Sequence, residues 1–167
     1  MYTALSAPIA ADTLTLNYPV RDLIYTGSGV HGNITGLQVK ETSAEIRFSL
    51  SGDVLFGFDK ATIDKSSEGA LLWLLDQIKS DYPGSPVRIE GHTDSKGLPD
   101  YNIELSRQRA NAVARWLSSH GKGVVGKIST TGLGESSPVA PNEFKDGSDN
   151  PQGRKLNRRV EVIVEKR

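Results

Sequence analysis

Two helical repeats of apolar residues, each leading into a short strand pattern, constrain the fold of this chain more than any other feature. Apolar residues recur at helical spacing from about residue 65 to residue 82, where a Pro-Gly pair ends the repeat, and a second helix is predicted at residues 102–119. Short strand patterns follow at residues 87–90 and 128–132. Strands that alternate with helices predict an α+β, or mixed α/β, domain with two helices packed on a sheet.

A β-hairpin is predicted ahead of the first helix. Residues 37–40 and 45–50 both alternate apolar and polar side chains, and a short turn-forming segment separates them. Residues 54–58 are more uniformly apolar, which predicts a buried strand, and residues 159–164 carry a strong strand pattern near the end of the chain. The polar stretch 135–153 is rich in Pro, Gly, Asn and Asp, and is predicted to be a surface loop.

The N-terminal residues are less regular. Residues 1–15 show no period and are expected to be loose, and the proline after Tyr18 argues against a central strand there. The Gly-rich segment 27–32 is not expected to bind phosphate, because no Gly-Lys-Ser/Thr follows and the next residues are strand-like. Residues 1–11 contain no Lys or Arg and make a poor signal peptide, so we expect the targeting segment of an exported protein to have been removed.

The composition excludes several classes of function. The chain of 167 residues has 20 basic and 20 acidic side chains, so its net charge gives no reason to expect a nucleic acid or an anionic membrane surface as partner. It has no cysteine, which excludes disulfides, thiolate metal sites, a cysteine nucleophile and a lipidated cysteine within this sequence. No apolar run reaches the roughly 20 residues that span a bilayer.

The most informative side chain in the second predicted helix is Arg109. At about 100° per residue, it projects from the apolar side of the helix together with Asn102 and Ser106, whereas Arg107 faces water. A guanidinium directed at a core needs a fixed anion or several acceptors, because an unpaired buried charge is strongly destabilising. The first turn of a helix also presents free N–H groups to an anion. These residues therefore predict a polar pocket at the start of the second helix.

Three alternatives for this region stay open on the residues alone. Arg109 could pair internally with Asp94 or Asp59 and bind nothing. His92 could ligate a metal, but the other two histidines lie in a glycine loop and at a helix end, and are not expected to converge with it. The third alternative is catalysis. A dyad of His92 and Asp94 lacks a specifically placed nucleophile. Asp59 and Asp94 could act as paired carboxylates, but the sequence does not give the distance between them.

Several motifs in the same order resemble the OmpA-like peptidoglycan-binding family. The central motif is carried by Gly91-His92-Thr93-Asp94, Tyr101-Asn102, Leu105-Ser106 and Arg109-Ala110. Residues 56–59, Phe-Gly-Phe-Asp, resemble the family's first core strand, and residues 132–138 and 157–161 its closing segments. The resemblance covers residues 53–166. It implies a βαβαβ sandwich, with a mixed sheet on two main helices, preceded by an N-terminal β-hairpin extension. We therefore expect the family domain at residues 51–167 and an extension at residues 1–50.

The resemblance also implies a function, which is non-enzymatic binding of peptidoglycan through the meso-diaminopimelate of its stem peptide. Asp94 would hold the ammonium group of the ligand, and Arg109 would hold its carboxylate. The remaining pocket residues would be Phe58, Asp59, Asn102 and Leu105. No metal or cofactor is implied.

The implied location is the periplasm, in association with the outer membrane. A lipid or barrel anchor absent from this chain would tether the domain, and an envelope protein is a possible further partner. Two alternatives remain, a partner-binding or signalling module that uses residues 1–50 and, less favoured, a peptidoglycan hydrolase. The segment 142–153 is longer than in minimal members of the family, so the nearby rim of the pocket is expected to differ.

Overall fold

The protein is represented by a computed structural model that describes residues 16–18 and 36–166. Within these residues there are six strands, which form one sheet, and four α-helices. The strands are β1 (Leu16–Tyr18), β2 (Leu37–Glu41), β3 (Glu45–Ser51), β4 (Val87–His92), β5 (Ile128–Gly134) and β6 (Arg159–Glu165). The helices are α1 (Gly52–Leu55), α2 (Glu68–Asp81), α3 (Pro99–His120) and α4 (Pro151–Asn157), and a 3₁₀ turn at Lys65–Ser67 leads into α2.

The sheet is mixed, as the alternation of helices and strands predicts. Its strand order is β1-β2-β3-β6-β4-β5, in which only β4 and β5 run parallel. The helix α3 connects these two parallel strands, which is the arrangement that a βαβ unit requires. The predicted fold class, a mixed sheet with two main helices, is therefore confirmed. No helix in the described residues is long and apolar enough to cross a membrane.

The predicted hairpin is formed by β2 and β3, and it joins the same sheet as the later strands. All seven residues of β3 pair with β6, from Glu45 opposite Glu165 to Ser51 opposite Arg159. The strand β1 lies at the outer edge of the sheet, in agreement with the proline that follows Tyr18. The division of the chain at residue 50 stays a prediction. The segments 1–15 and 27–32 lie outside the described residues.

The predicted strand at residues 54–58 is wrong. Residues 52–55 form the short helix α1, in which the Phe56 N–H donates to the Gly52 carbonyl at 2.9 Å, and Phe56 makes only an isolated bridge with Ile63. Leu55 and Phe56 are 0% and 2% exposed. A short run of buried apolar residues cannot be assigned to a strand or a helix by periodicity alone, and here the apolar run reflects burial of a helical turn.

Two helix boundaries also differ from the sequence prediction. The helix α3 begins at Pro99 rather than at residue 102, with the proline in its first turn, where a missing N–H costs nothing. The predicted loop 135–153 contains the start of α4, whose N-cap is Asn150. The Asn150 side chain accepts a hydrogen bond from the Gly153 N–H at 3.0 Å, and Pro151 follows the cap. This cap was not predicted because the residues around Asn150 have the composition of a surface loop.

The hydrophobic core lies between the sheet and the helices α2 and α3. Each fully buried Leu, Ile or Val side chain stabilises the fold by roughly 1.5–3 kcal/mol. The core side chains that are completely buried include Leu71, Leu74 and Ile78 of α2, Val113 and Leu117 of α3, and Ile89, Val160, Val162 and Val164 of the sheet.

The helix α3 lies unusually close to the ends of β4 and β5, because glycines face it. A Cβ atom added to Gly91 would lie 2.0 Å from the Ser106 carbonyl oxygen, and one added to Gly132 would lie 2.6 Å from the Arg107 backbone nitrogen. The backbone of α3 therefore rests on the backbone of the sheet. This contact places the first turns of α3 beside the residues that follow β4 and β5.

Replacing Gly91 with alanine is expected to lower the free energy of unfolding by about 3 kcal/mol, because α3 would have to move away from the sheet. Gly57→Ala is the control, since the nearest atom there, at 3.2 Å, belongs to the flexible Lys60 side chain. We expect that change to stay below about 1 kcal/mol. Urea unfolding followed by circular dichroism compares the variants. A Gly91→Ala protein as stable as the wild type would contradict the close packing of α3.

Candidate functional site: a charged pocket at the start of α3

Three polar side chains of α3 are buried where the sequence predicts a pocket. Asn102, Ser106 and Arg109 are 2%, 0% and 5% exposed. The Ser106 hydroxyl donates to the Ile103 carbonyl at 2.8 Å and accepts from the Gly134 N–H at 2.9 Å, so it joins α3 to the end of β5. The predicted inward direction of all three side chains is therefore confirmed.

Asn102 connects the loop after β4 with the loop after β5. Its side-chain N–H groups donate to a carboxylate oxygen of Glu135 at 2.6 Å and to the Asp94 carbonyl at 3.3 Å. Glu135 belongs to the closing segment 132–138 and was not predicted as a site residue. Its position one residue after β5, beside the N-terminal half of α3, brings it to the pocket.

Arg109 is buried, and none of the described residues forms an ion pair with it. Its Nε donates to the Lys60 carbonyl at 3.0 Å, and its guanidinium carbon lies 5.3 Å from the centre of the Phe56 ring. Burial lowers the pKa of Arg109, while the negative charges of Asp53 and Asp59 act in the opposite direction. Arginine nevertheless remains charged in proteins. In the part of the chain that the structure describes, no carboxylate forms an ion pair with this guanidinium.

The two internal pairings considered from the sequence, Arg109 with Asp94 and Arg109 with Asp59, therefore do not form among the described residues. By contrast, Arg107 is exposed and pairs with Glu104 on the same helix at 2.7 Å, as its predicted position on the solvent face requires. The guanidinium of Arg109 is held at one edge and over one face, and it can still accept an anion.

Asp94 lies two residues beyond β4 and is 7% exposed. One carboxylate oxygen accepts from Arg158 at 2.6 Å and from Arg154 at 3.4 Å, and the other accepts from the Lys96 N–H at 3.0 Å. Both arginines were missed as site residues. Arg154 lies in α4 and Arg158 is its C-cap, so their spacing of four, which brings two side chains to one side of a helix, is the sequence signal that could have found them.

Arg158 links the Asp94 side of the pocket to the Arg109 side. It donates to both carboxylate oxygens of Asp53, each at 2.8 Å, in addition to its bond to Asp94. The hydrogen bond from Arg158 lowers the pKa of Asp53, and the nearby positive charge of Arg109 contributes in the same direction. The pocket thus combines acids with three arginines, Arg109, Arg154 and Arg158, of which only Arg109 lacks a direct ion pair among the described residues.

The remaining predicted site residues are distributed differently. Asp59 has a left-handed backbone with φ of 56°, and its carboxylate accepts from the Tyr101 hydroxyl at 2.5 Å. Phe58 is 98% exposed, so its side chain points into solvent. Leu105 is half-buried on α3. The ligand contacts predicted for Phe58, Asp59 and Leu105 stay predictions.

His92 is buried on a different face of β4 from the close contact at Gly91. It is 2% exposed, and neither ring nitrogen has a hydrogen-bond partner. Burial, followed by the charge of Arg159, lowers the pKa of His92 to about 4. The ring is therefore neutral at physiological pH.

Two glutamates that the sequence did not indicate as metal ligands converge with His92. Oxygen atoms of Glu90 and Glu161 and a nitrogen of His92 all lie within 4.8 Å of one another. However, Arg88 donates to Glu90 at 2.8 Å and Arg159 donates to Glu161 at 2.7 Å. These arginines already neutralise the carboxylates, so the cluster has no electrostatic need for a cation. That no metal binds stays a prediction.

Comparison with known proteins identifies the family. The model of the OmpA family matches residues 55–151, which is more than half of the chain. This chain belongs to the OmpA family, and the resemblance inferred from its motifs is confirmed.

Curated relatives share this region within longer proteins. Photosystem I P700 chlorophyll a apoprotein A2 of Gloeobacter violaceus is 38% identical over 80% of this chain and 15% of its own length. Outer membrane porin F of Pseudomonas aeruginosa is 42% identical over 68% of this chain and 30% of its own length. Peptidoglycan-binding protein ArfA of Mycobacterium tuberculosis is 34% identical over 87% of this chain and 42% of its own length. The chain thus spans less than half the length of these relatives.

A solved structure with the same fold is the cell wall anchor of the T6SS from Pseudomonas aeruginosa. It is 26% identical, covers 79% of this chain and 89% of its own, and superposes with a TM-score of 0.69. This chain therefore has the same fold as that solved structure.

Acid is expected to destabilise the fold through His92. Its folded pKa of about 4 lies below the ordinary 6.5, so its contribution to stability is complete above pH 6.5 and is lost as pH falls towards 4. This loss amounts to about 3 kcal/mol. Between about pH 7 and pH 4, His92→Leu should lose correspondingly less stability than the wild type in urea unfolding. Parallel pH profiles for the two proteins would contradict the burial of a neutral imidazole.

Proposed function

We propose that this chain binds peptidoglycan non-covalently, through the diaminopimelate of the stem peptide, and tethers the outer envelope to the cell wall. The observation that carries the proposal is the buried guanidinium of Arg109, which lacks a carboxylate partner among the described residues and lies in an acid-rich pocket of an OmpA-family fold. A relative named for peptidoglycan binding and a structure described as a cell wall anchor support the class of ligand.

The chemistry of the ligand suits the charges of the pocket. The free end of diaminopimelate is a zwitterion, which requires one cation and one anion at a fixed separation. Arg109 would take the carboxylate, since a planar guanidinium binds a carboxylate through two parallel N–H bonds. Asp94 would take the ammonium. Because Arg158 already occupies one oxygen of Asp94, the ammonium would share that carboxylate with Arg158 or displace it.

Binding without catalysis is the function that these residues favour. A hydrolase would need an accessible acid or base near its operating pH. His92 is buried with a pKa of about 4, and Asp94 is paired with two arginines. We therefore infer that the domain has no enzymatic activity, and that no metal or cofactor is needed.

Retention at the wall does not require tight binding at one site. Peptidoglycan offers many identical stem peptides on one polymer, so a bound domain or a set of anchored domains can rebind at high effective concentration. We place the protein in the periplasm and associate it with the outer membrane through an anchor, in keeping with a relative named as an outer membrane porin.

Replacing Arg109 with glutamine is expected to weaken binding to purified diaminopimelate-type peptidoglycan by at least about tenfold. Arg107→Gln is the matched control, because Arg107 is an exposed arginine on the same helix, and we expect wild-type binding from it. Sedimentation of each protein with peptidoglycan, with melting temperatures measured in parallel, gives the comparison. Equal loss from both variants would indicate non-specific attraction, and no loss from either would exclude Arg109 as the carboxylate ligand.

Amidation of diaminopimelate removes the carboxylate that we assign to Arg109. We expect the wild type to bind a stem peptide with the free acid at least about tenfold more tightly than the amidated peptide. Isothermal titration with the two peptides measures the difference. Equal affinities would refute the proposed role of Arg109 while leaving peptidoglycan binding itself possible.

A partner-binding role of residues 1–50 is the competing proposal. Deleting residues 1–35 is the test that preserves β2, which begins at Leu37 and pairs with the central strand β3. Peptidoglycan binding should survive this deletion, whereas a partner that uses the N-terminal residues should be lost.

A further inference from the structure

The guanidinium of Arg109 is held by a turn that has its own attachment to α3. The turn covers residues 57–60 and is closed by a hydrogen bond from the Lys60 N–H to the Gly57 carbonyl at 3.1 Å. It presents the Lys60 carbonyl to Arg109 Nε at 3.0 Å. The position of Arg109 in the pocket therefore depends on the conformation of this turn.

The turn includes a backbone conformation that is unfavourable for its residue. Asp59 has a φ of 56°, and among the described residues it is the one non-glycine residue with a positive φ. A non-glycine residue in this conformation persists where neighbouring contacts hold it. At Asp59 that contact is the hydrogen bond from the Tyr101 hydroxyl, whose oxygen lies 2.5 Å from the carboxylate.

Tyr101 and Arg109 thus hold the same turn from two points of α3. Tyr101 donates to Asp59, and Arg109 donates to the next residue, Lys60. Tyr101 is 48% exposed, so its ring adds little to the core and its hydroxyl is available for this bond. The hydrogen bond to Asp59 and the nearby carboxylate charge raise the pKa of Tyr101, so the phenol stays protonated and remains a donor.

Resting on the proposed function, we infer that Tyr101 is a positioning residue that sets the specificity of the site for the free carboxylate of the ligand. Its bond to Asp59 keeps residues 57–60 in the conformation that fixes Arg109 Nε on the Lys60 carbonyl. The terminal nitrogens of the guanidinium then remain directed at the pocket. Without the phenol hydroxyl the turn relaxes, and Arg109 loses the fixed orientation that a bidentate contact requires.

The test combines one substitution with two ligands. Tyr101→Phe removes only the hydroxyl, and Tyr82→Phe is the matched control, because Tyr82 also donates to a carboxylate, that of Glu41 at 3.3 Å. Each protein is titrated with the stem peptide carrying free diaminopimelate and with its amidated form. Chemical shift changes in NMR spectra give both affinities, including weak ones.

We expect Tyr101→Phe to bind the free-acid peptide about five- to tenfold more weakly than the wild type. Its affinity for the amidated peptide should be unchanged, because that ligand lacks the group that Arg109 holds. Tyr82→Phe should match the wild type with both ligands. Thermal melts of the two variants show whether any loss comes from the fold, which would lower both affinities together.

The outcomes separate this inference from the function on which it rests. A wild type that binds neither peptide overturns the proposed function, and with it the role of Tyr101. A wild type that prefers the free acid, with Tyr101→Phe unchanged, overturns the inference alone. An equal loss for both peptides also overturns it, since Tyr101 would then contact the ligand directly or support the fold generally.

Discussion

The close contact between the backbones of α3 and the sheet is the constraint on which the charged pocket depends. At Gly91 and Gly132 no side chain separates the helix from β4 and β5. Because the backbones lie this close, the inward-facing polar residues of the first turns reach hydrogen-bond partners at the strand ends. Ser106 accepts from the Gly134 N–H, and Asn102 donates to the Asp94 carbonyl. The pocket is consequently built into the packing of α3 on the sheet.

The electrostatics of this pocket leave one of its three arginines without a direct counter-ion among the described residues. Arg158 is shared between Asp94 and Asp53, whereas Arg109 has a backbone carbonyl, an aromatic face and more distant acids. An isolated buried charge is destabilising, because the charged group has been removed from water. If Arg109 were exposed, the binding of a ligand would have to supply this desolvation free energy. Since the fold has already desolvated and oriented Arg109, a carboxylate ligand would gain affinity from this preorganisation.

The features that could be predicted from the sequence are those that depend on local residue patterns. Both main helices, the hairpin and the inward direction of Arg109 follow from periodicity, and the family follows from ordered motifs. The failures involve long-range contacts. Leu55 and Phe56 are apolar because tertiary packing buries them, which their pattern cannot distinguish from a strand. The pairing of Asp94 with Arg158 joins residues 64 apart in the chain, and the convergence of Glu90 and Glu161 with His92 requires the strand order.

Arg107 and Arg109 illustrate why position decides function in this site. The two side chains have the same chemistry and lie two residues apart, about 200° around the helix. Arg107 forms an exposed pair with Glu104, of the kind that contributes at most about 1 kcal/mol. Arg109 is held between Phe56 and the turn that ends at Lys60. Replacing the arginine with lysine would keep the positive charge at either position. At Arg109 it would lose the Nε–H that anchors the side chain to Lys60 and the fork that matches a carboxylate. The geometry of the guanidinium, beyond its charge, is therefore what the pocket is built to hold.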